Sequence, residues 1–381
     1  MYREAELALI GLNRAAAAMA MDEKAGRMGL SQPEVGFIAA YLDGREDRVS
    51  AATQIARGST DGPEMLEAQS TYLDSIGELT EGAGLSREAA DAVRGQPTIA
   101  GAALAVRARG ALDQALAGQC DAALELAASA RTEAARPQEV DARLRSGLAA
   151  AYCGDQELAQ LNLTSLSAGR DTNAVAMLRA GISLAAGHSS AALQELSTVE
   201  GDDGTLLLPY LRGLAHLAAQ DPASAVDDFH QVLSARGKAL LGGTNVYPLA
   251  EIGLARAAAS AGDRTASRHA YGEFLKLWDG AGSGDPLRKE ALSGSPGGML
   301  YPWLMAHSEY ASAKVATEPY RMVQSASSRK MGASLRPHAE GLPHTSAIRQ
   351  RRRFQAGSAQ GAAQSYPVER KYKQVRDSDL E

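Results

Sequence analysis

Large aromatic side chains are scarce in this chain. Only 5% of its 381 residues are Phe, Trp or Tyr, although 45% are apolar. A β-core is usually built from β-branched and aromatic residues, whereas small apolar residues allow helices to pack closely. We therefore expect an all-α protein with a core made largely of methyl groups.

Cysteine is also rare. The chain has only Cys120 and Cys153, which lie 33 residues apart, and neither belongs to a CxxC pair. We interpret both as small buried apolar residues in a reducing compartment, rather than as a disulfide or as half of a metal site.

Long apolar runs are absent. No stretch approaches the roughly 18 apolar residues that a membrane-spanning helix needs. The first six residues, MYREAE, place acids where a signal peptide would need a basic region. We expect no membrane span and a cytoplasmic location.

Catalytic signatures are missing as well. The sequence contains no GxGxxG loop, no HRD or DFG motif for phosphoryl transfer, and no GxSxG turn that would present a nucleophilic serine. Its seven histidines form no HExxH pattern. We therefore expect no enzyme activity, no cofactor, no metal site and no small-molecule substrate.

The charge is unevenly distributed. The net charge is −6, but residues 292–381 carry 13 Lys or Arg against 7 Asp or Glu. This segment has no sustained apolar period, so we expect a disordered basic tail. Its strongest cluster, residues 349–354 (RQRRRF), is interpreted as a solvated tail. The alternative is that this cluster contacts nucleic acid or an acidic partner. The sequence contains no recognisable nucleic-acid-binding module that would support this alternative.

A recurring turn signal is the most informative feature that is present. Turn residues at positions 44, 84, 118, 154, 187, 220 and 262 are separated by 33 to 36 residues in the four middle intervals. Each lies between helical segments, which predicts stacked helix pairs. We assign residues 1–29 to a partial or capping helix, residues 30–291 to about seven repeats, and residues 292–381 to the tail.

Small residues beside a large one define the packing of each unit. Gly213 and Ala225 would let two helices approach, while Phe229 would fill the space beyond them. Asp221 is a predicted N-cap. The residues predicted to carry the repeat are Gly147, Gly154, Ala159, Ala180, Gly187, Ala192, Gly213, Ala225, Phe229, Ala255, Gly262, Asp263 and Tyr271.

Two further segments interrupt or end this pattern. Residues 235–245 are predicted to be an inserted loop that folds over an end of the stack. Residues 301–305 (YPWLM) form an apolar patch that could cap the last repeat.

The spacing of Gly213, Ala225 and Phe229, followed by Ala255 and Tyr271, resembles that of the tetratricopeptide repeat. This resemblance implies a right-handed α-solenoid of helical hairpins. The family's Trp in the first helix is missing and its closing Pro is not kept.

A narrower resemblance covers residues 30–291. Residues 209–223 and 274–278 are similar to the C-terminal tetratricopeptide region of acidobacterial-type multidomain serine/threonine kinases, although the kinase domain is absent here. The resemblance implies a regulatory scaffold that binds a protein or peptide. The alternative is a sensor array of a transcription-regulatory or signalling system whose effector domain lies on another chain.

The first helix of each such repeat lines the concave face, so polar and aromatic residues there are candidate binding residues. We predict Arg145, Tyr152, Tyr210 and Arg256 as contacts for a peptide, since arginine can hold a carboxylate and tyrosine offers an apolar face. The two tyrosines could equally well pack between repeats, and this alternative stays open.

Overall fold

The computed structural model describes residues 2–30, 32–45, 47–50, 62–92, 100–133, 139–169, 171–201 and 204–294. All regular secondary structure within these ranges is helical, which confirms the expected all-α class. The helices are α1 (Tyr2–Gly11), α2 (Ala15–Arg27), α3 (Pro33–Leu42), α4 (Pro63–Ile76), α5 (Leu79–Ala92), α6 (Ala100–Leu116), α7 (Cys120–Glu133), α8 (Val140–Tyr152), α9 (Gln156–Ser167), α10 (Thr172–Ala185), α11 (Ser189–Leu196), α12 (Leu207–Ala218), α13 (Pro222–Leu233), α14 (Arg236–Leu241), α15 (Val246–Ser260), α16 (Arg264–Leu277) and α17 (Pro286–Ser293).

Tight turns join these helices into pairs. A residue with positive φ lies in each turn, a conformation that glycine adopts at little cost. These residues are Gly44, Gly77, Gly118, Gly154, Gly187, Gln220 and Gly262. The expected turn at Gly84 is wrong, because Gly84 lies inside α5 and the chain turns instead at Gly77, where φ is 87°.

Six of the pairs stack in order. Within each pair the two helices pack together, and the first helix of one pair also packs on the first helix of the next. We call α4, α6, α8, α10, α12 and α15 the first row, and α5, α7, α9, α11, α13 and α16 the second row. This arrangement is consistent with a helical repeat, while the right-handed superhelix stays a prediction.

The interface between α12 and α15 is apolar and very close. A Cβ atom added to Gly213 on α12 would lie 2.7 Å from Cε1 of Phe229, and one added to Gly253 on α15 would lie 2.4 Å from its Cζ. The ring is fully buried. Glycine at both positions is therefore what allows α12 and α15 to close on Phe229.

Several other residues of the predicted repeat are also buried between helices. Gly147 approaches Leu178, because an added Cβ would lie 2.7 Å from Cδ2 of that leucine. Tyr271 is 1% exposed. The fully buried alanines of the set are Ala159, Ala180, Ala192, Ala225 and Ala255.

Aspartate caps begin several helices, as local sequence predicts for an N-cap. The carboxylate of Asp221 accepts a hydrogen bond from the Ser224 N–H (3.3 Å), and that of Asp263 accepts one from the Ala266 N–H (2.9 Å). Asp155, Asp171 and Asp285 cap α9, α10 and α17 in the same way.

Residues 1–29 form two helices, whereas we expected one partial or capping helix. The chain turns between α1 and α2 at Asn13, whose φ is 56°. The Asn13 side chain then links this pair to the insertion. Its Nδ2 donates to the Ser234 carbonyl (2.8 Å), and its Oδ1 accepts from the Gly237 N–H (2.7 Å).

The insertion at residues 235–245 is partly helical rather than a plain loop. It contains α14, which packs against α1 and α3 as well as against its neighbours α13 and α15. The residues that follow α14 run across the first row, as described below. The segment therefore contacts both the N-terminal helices and the middle of the stack.

The two ends of the stack also meet. The Gly280 N–H donates to the Ile76 carbonyl (3.0 Å), and a Cβ added to Gly77 would lie 2.8 Å from that of Ala281. The turn between α4 and α5 therefore touches the segment that follows α16. This contact brings the first and last of the six pairs together.

Helix α17 packs on the last pair and buries Glu290 against it. The Arg256 guanidinium donates to both carboxylate oxygens of Glu290, at 2.8 and 2.7 Å. The Tyr271 hydroxyl donates to the same carboxylate at 2.9 Å. Residues 301–305, which were expected to cap the array, lie outside the described residues, as do residues 349–354 and the rest of the tail after 294.

The interpretation of the cysteines is wrong. Cys120 and Cys153 form a disulfide, with Cα atoms 5.3 Å apart. Cys120 begins α7 and Cys153 follows α8, so the bond links the turns of two neighbouring pairs. The 33-residue separation is one repeat length, and it places the two thiols side by side when the pairs stack.

Within the described ranges, no helix has both the length and the apolar character that a membrane span requires.

Candidate binding site on the first row

Charged side chains collect on three consecutive helices of the first row. Asp74 lies on α4, Arg109 and Asp113 lie on α6, and Asp141 and Arg145 lie on α8. We call these five residues the inner polar cluster. On α6 and on α8 the charged residues are four apart, so each helix presents them on one face.

Arg145 is 1% exposed despite its charge. Its Nε donates to Oδ1 of Asp141 (2.7 Å), and its Nη2 donates to the main-chain carbonyl of Gly242 (3.1 Å). The guanidinium therefore joins α8 to the segment that follows α14.

Asp113 holds the other end of that segment. Its Oδ1 accepts from the Asn245 N–H (3.1 Å), and its main-chain carbonyl accepts from Nδ2 of Asn245 (3.2 Å). Between these contacts, a Cβ added to Gly243 would lie 2.6 Å from Cδ of Arg109. Arg109 itself forms ion pairs with Glu67 and Asp141.

Residues 242–245, which we call the docked segment, are thus held across α6 and α8. Thr244 and Asn245 are 1% and 0% exposed. Two of the three hydrogen bonds reach main-chain atoms of the segment, namely the Gly242 carbonyl and the Asn245 N–H. The inner polar cluster therefore supplies both a donor and an acceptor for a peptide main chain.

Burial perturbs the two carboxylic acids of α4 and α6. It raises the pKa of Asp113 to about 7, while the hydrogen bond from Asn245 and the charges of Arg145 and Arg109 act in the opposite direction. Burial, followed by the charge of Asp113, raises the pKa of Asp74 well above its usual range. The pair therefore carries fewer than two negative charges at neutral pH.

The side chain of Gln114 links α6 to the pair formed by α4 and α5. Nε2 of Gln114 donates to the Leu79 carbonyl (2.8 Å) and lies 3.4 Å from Oδ1 of Asp74. The adjacent cavity of about 10 Å³ is lined by the hydroxyl residues Ser70, Thr71 and Ser86 together with these acids. That volume is close to the minimum for a single water molecule.

The four predicted contact residues are all buried and are not brought together. Arg145 belongs to the inner polar cluster, whereas Arg256 binds Glu290 at the far end of the stack. Tyr152, 1% exposed, lies against Gly181 of α10. Tyr210, fully buried, meets Phe229 edge to face with ring centroids 6.1 Å apart. Both tyrosines therefore pack between helices, as the alternative interpretation held.

Sequence reasoning missed Arg109, Asp113 and Asn245. A signal existed, because Arg109 and Arg145 each lie nine residues before the glycine of their turn, Gly118 or Gly154, and each has an aspartate four residues away on the same helix. When two successive Ala-rich helices carry charged residues at corresponding positions, these residues indicate a shared polar surface.

No cluster of three or more His, Cys, Asp or Glu in the described ranges is placed to hold a metal ion. The chain matches no protein-family model, and no curated protein was found to match its sequence.

Proposed function

We propose that this protein is a non-catalytic helical-repeat scaffold that binds a protein or peptide partner through its first row of helices. The observation that supports this proposal is the docked segment. The inner polar cluster already binds a stretch of main chain, and the groups that do so project from two successive repeats.

Main-chain recognition of this kind suits a scaffold. A guanidinium that donates to a carbonyl and a carboxylate that accepts from an N–H can together hold a peptide main chain. Their burial keeps water away from these bonds, which strengthens them. Affinity would come from the main chain, and selectivity from the side chains around it.

The finer assignment rests on the resemblances described above. We propose a tetratricopeptide-type, right-handed array that serves as a regulatory module in bacterial signalling, with a serine/threonine kinase or its substrate as the partner. The expected cytoplasmic location does not form part of this proposal, because a disulfide such as that of Cys120 and Cys153 persists mainly in oxidising compartments.

The proposal is tested by capturing partners with the full chain and measuring the affinity of each purified partner. We expect Arg145→Ala to weaken binding about tenfold or more, since a charge-assisted hydrogen bond is lost. Arg87→Ala is the matched control. Arg87 lies on the second row, where its guanidinium pairs with the exposed Glu125, so the change should leave binding nearly unchanged.

Two results would contradict this proposal. One is a partner whose cross-links map to the second row and whose affinity does not respond to Arg145→Ala in a folded variant. The other is a partner that binds the full chain but not residues 1–294, because the tail would then be the binding element.

A further inference from the structure

We infer that α4 meets α5 and α6 through a pH-sensitive joint, in which Asp74 and Asp113 allow the three helices to pack closely while they are protonated and loosen this contact when both are ionised. The joint lies inside the fold and needs no partner, so it is independent of the proposed scaffold function.

The apolar core of the described residues is interrupted at α4. Met65 and Ala68 of this helix belong to a cluster built with α1, α2 and α3, whereas Leu79 and Ala83 of α5 belong to the main cluster that runs through the repeats. Buried polar side chains from α4, α5 and α6 meet instead around the cavity of about 10 Å³, and we call them the polar layer: Ser70, Thr71, Asp74, Ser86 and Asp113. The strength of such a polar contact depends on which of its groups are charged.

The two acids of the polar layer receive few hydrogen bonds. Each is 1% exposed. Oδ1 of Asp74 lies 3.4 Å from Nε2 of Gln114, and its Oδ2 has no hydrogen-bond partner among the described residues. Asp113 accepts from the Asn245 N–H at 3.1 Å. Asp74 is also pressed against α5, because a Cβ added to Gly82 would lie 2.8 Å from its Cγ.

The nearby arginines are engaged with other carboxylates. Arg109 forms ion pairs with Glu67 and Asp141, and Nε of Arg145 donates to Asp141 at 2.7 Å. Together with the two acids of the polar layer, four carboxyl groups therefore share two guanidinium groups. A buried carboxylate without a counter-ion is costly, so close packing of the three helices favours the protonated acids.

The charged groups around the two acids determine the direction of the pH effect. Burial, and then the charge of Asp113, raises the pKa of Asp74, and burial raises that of Asp113 to about 7. The groups that oppose the rise at Asp113 are the Asn245 N–H, Arg145 and Arg109. On other helices packed against α4 or α6, charged residues have partners elsewhere: Glu34 of α3 pairs with Arg3, Arg87 of α5 with Glu125 of α7, and Arg256 of α15 with Glu290. Because both pKa values are raised in the folded protein, the joint is stable at low pH and weakens as the pH rises through about 7.

The test measures hydrogen exchange of the full chain by mass spectrometry at pH 6 and pH 8, corrected for the intrinsic pH dependence of exchange. In wild type we expect the amides of α4 to be at least about tenfold less protected at pH 8, since opening at that pH releases protons that the closed joint holds. In the folded double variant Asp74→Asn, Asp113→Asn, protection should be equal at the two pH values.

Helices α12 and α17 are the internal controls. The first packs through apolar residues, and Glu290 of the second faces the Arg256 guanidinium. Protection of both should not change between pH 6 and pH 8. A loss of protection that is equal in α4 and α12, or equal in wild type and the folded double variant, overturns the inference.

A second measurement needs no variant and covers the case in which the double variant does not fold. Wild type is labelled with ¹³C at its aspartate carboxyl carbons and titrated by NMR. An ordinary aspartate ionises near pH 4, so one or two resonances that still move above pH 6 are expected from the polar layer. If every aspartate is already ionised at pH 6, the joint holds no proton and the inference fails.

Discussion

The contact between α12 and α15 and the contacts of the added segments are built from different chemistry. Phe229 lies between the backbones of α12 and α15, where glycines make room for its ring. The docked segment and α17 also use buried charges, namely Asp113 and Arg145 in one case and Arg256 with Glu290 in the other.

The two kinds of contact have different effects: apolar contacts mainly stabilise the stack, and charged contacts mainly determine where the added segments lie. Apolar packing is non-directional and grows with buried area, so it holds the stack together along its whole length. A buried ion pair adds little net stability compared with an apolar contact. Removal of one of its two residues is nevertheless costly, and the pair requires a strict geometry. The charged contacts therefore fix where residues outside the regular repeats lie.

Replacing Phe229 with alanine should have the largest effect on stability. The substitution opens a cavity between α12 and α15 and should lower the free energy of unfolding by about 4 kcal/mol. Urea denaturation measures the change. Leu161→Ala is the control, because Leu161 is 40% exposed and should cost far less. Equal losses in both variants would show that the repeat interface does not depend on this ring.

Removing the disulfide should have the next largest effect. The double variant Cys120→Ser, Cys153→Ser frees a loop of 33 residues in the unfolded chain and should lose about 3 kcal/mol. Denaturation of wild type with and without a reductant should give the same difference. If the denatured, unreduced protein shows two free thiols, the disulfide is not present in solution.

Glu290→Gln tests the polar attachment of α17. The change removes the negative charge that faces the buried Arg256 guanidinium and should cost about 2 kcal/mol. Faster hydrogen exchange should be confined to α17 and its contacts with α16. Glu273→Gln is the control, since its pair with Lys276 is exposed. A loss of protection spread over the whole stack would remove the distinction between the two kinds of contact.

The smallest expected effect is a pH dependence that comes from Asp113. Its pKa is raised to about 7 in the folded protein, so between about pH 4 and 7 the native state holds a proton that the unfolded chain has released. Stability from this group is therefore present at low pH and falls as the pH rises through that window.

The measurement compares urea denaturation of wild type and Asp113→Asn at about pH 5 and pH 8. Wild type should lose roughly 2 kcal/mol more than the variant over this interval, since each shifted pKa unit corresponds to about 1.4 kcal/mol. Asp121→Asn on the exposed surface of α7 serves as the control and should follow wild type. A wild type that gains stability over this interval relative to Asp113→Asn would contradict the raised pKa.

Local sequence signals were sufficient for much of the fold. The aspartate cap at Asp221 and the positive-φ glycines at 118, 154, 187 and 262 act on neighbouring main chain, so their spacing predicted helix pairs. The error at Gly84 arose because glycine is also tolerated inside a helix, at a cost of about 1 kcal/mol that packing can offset.

The candidate site could be predicted only in part. The sequence placed Arg145 on a first helix, but it could not show that Tyr152 and Tyr210 face other helices or that Arg256 meets Glu290. A helical period reports which residues share a face, and it says nothing about what covers that face.

The sequence by itself determined the helix pairs and their spacing, because caps, turns and apolar periods are set within a few residues. Only the tertiary structure decided that Cys120 meets Cys153 and that Asn245 reaches Asp113. Both contacts join residues far apart in the chain, 33 positions in the first case and 132 in the second. Their partners are chosen by how the stack of helices brings its surfaces together, which no local pattern encodes.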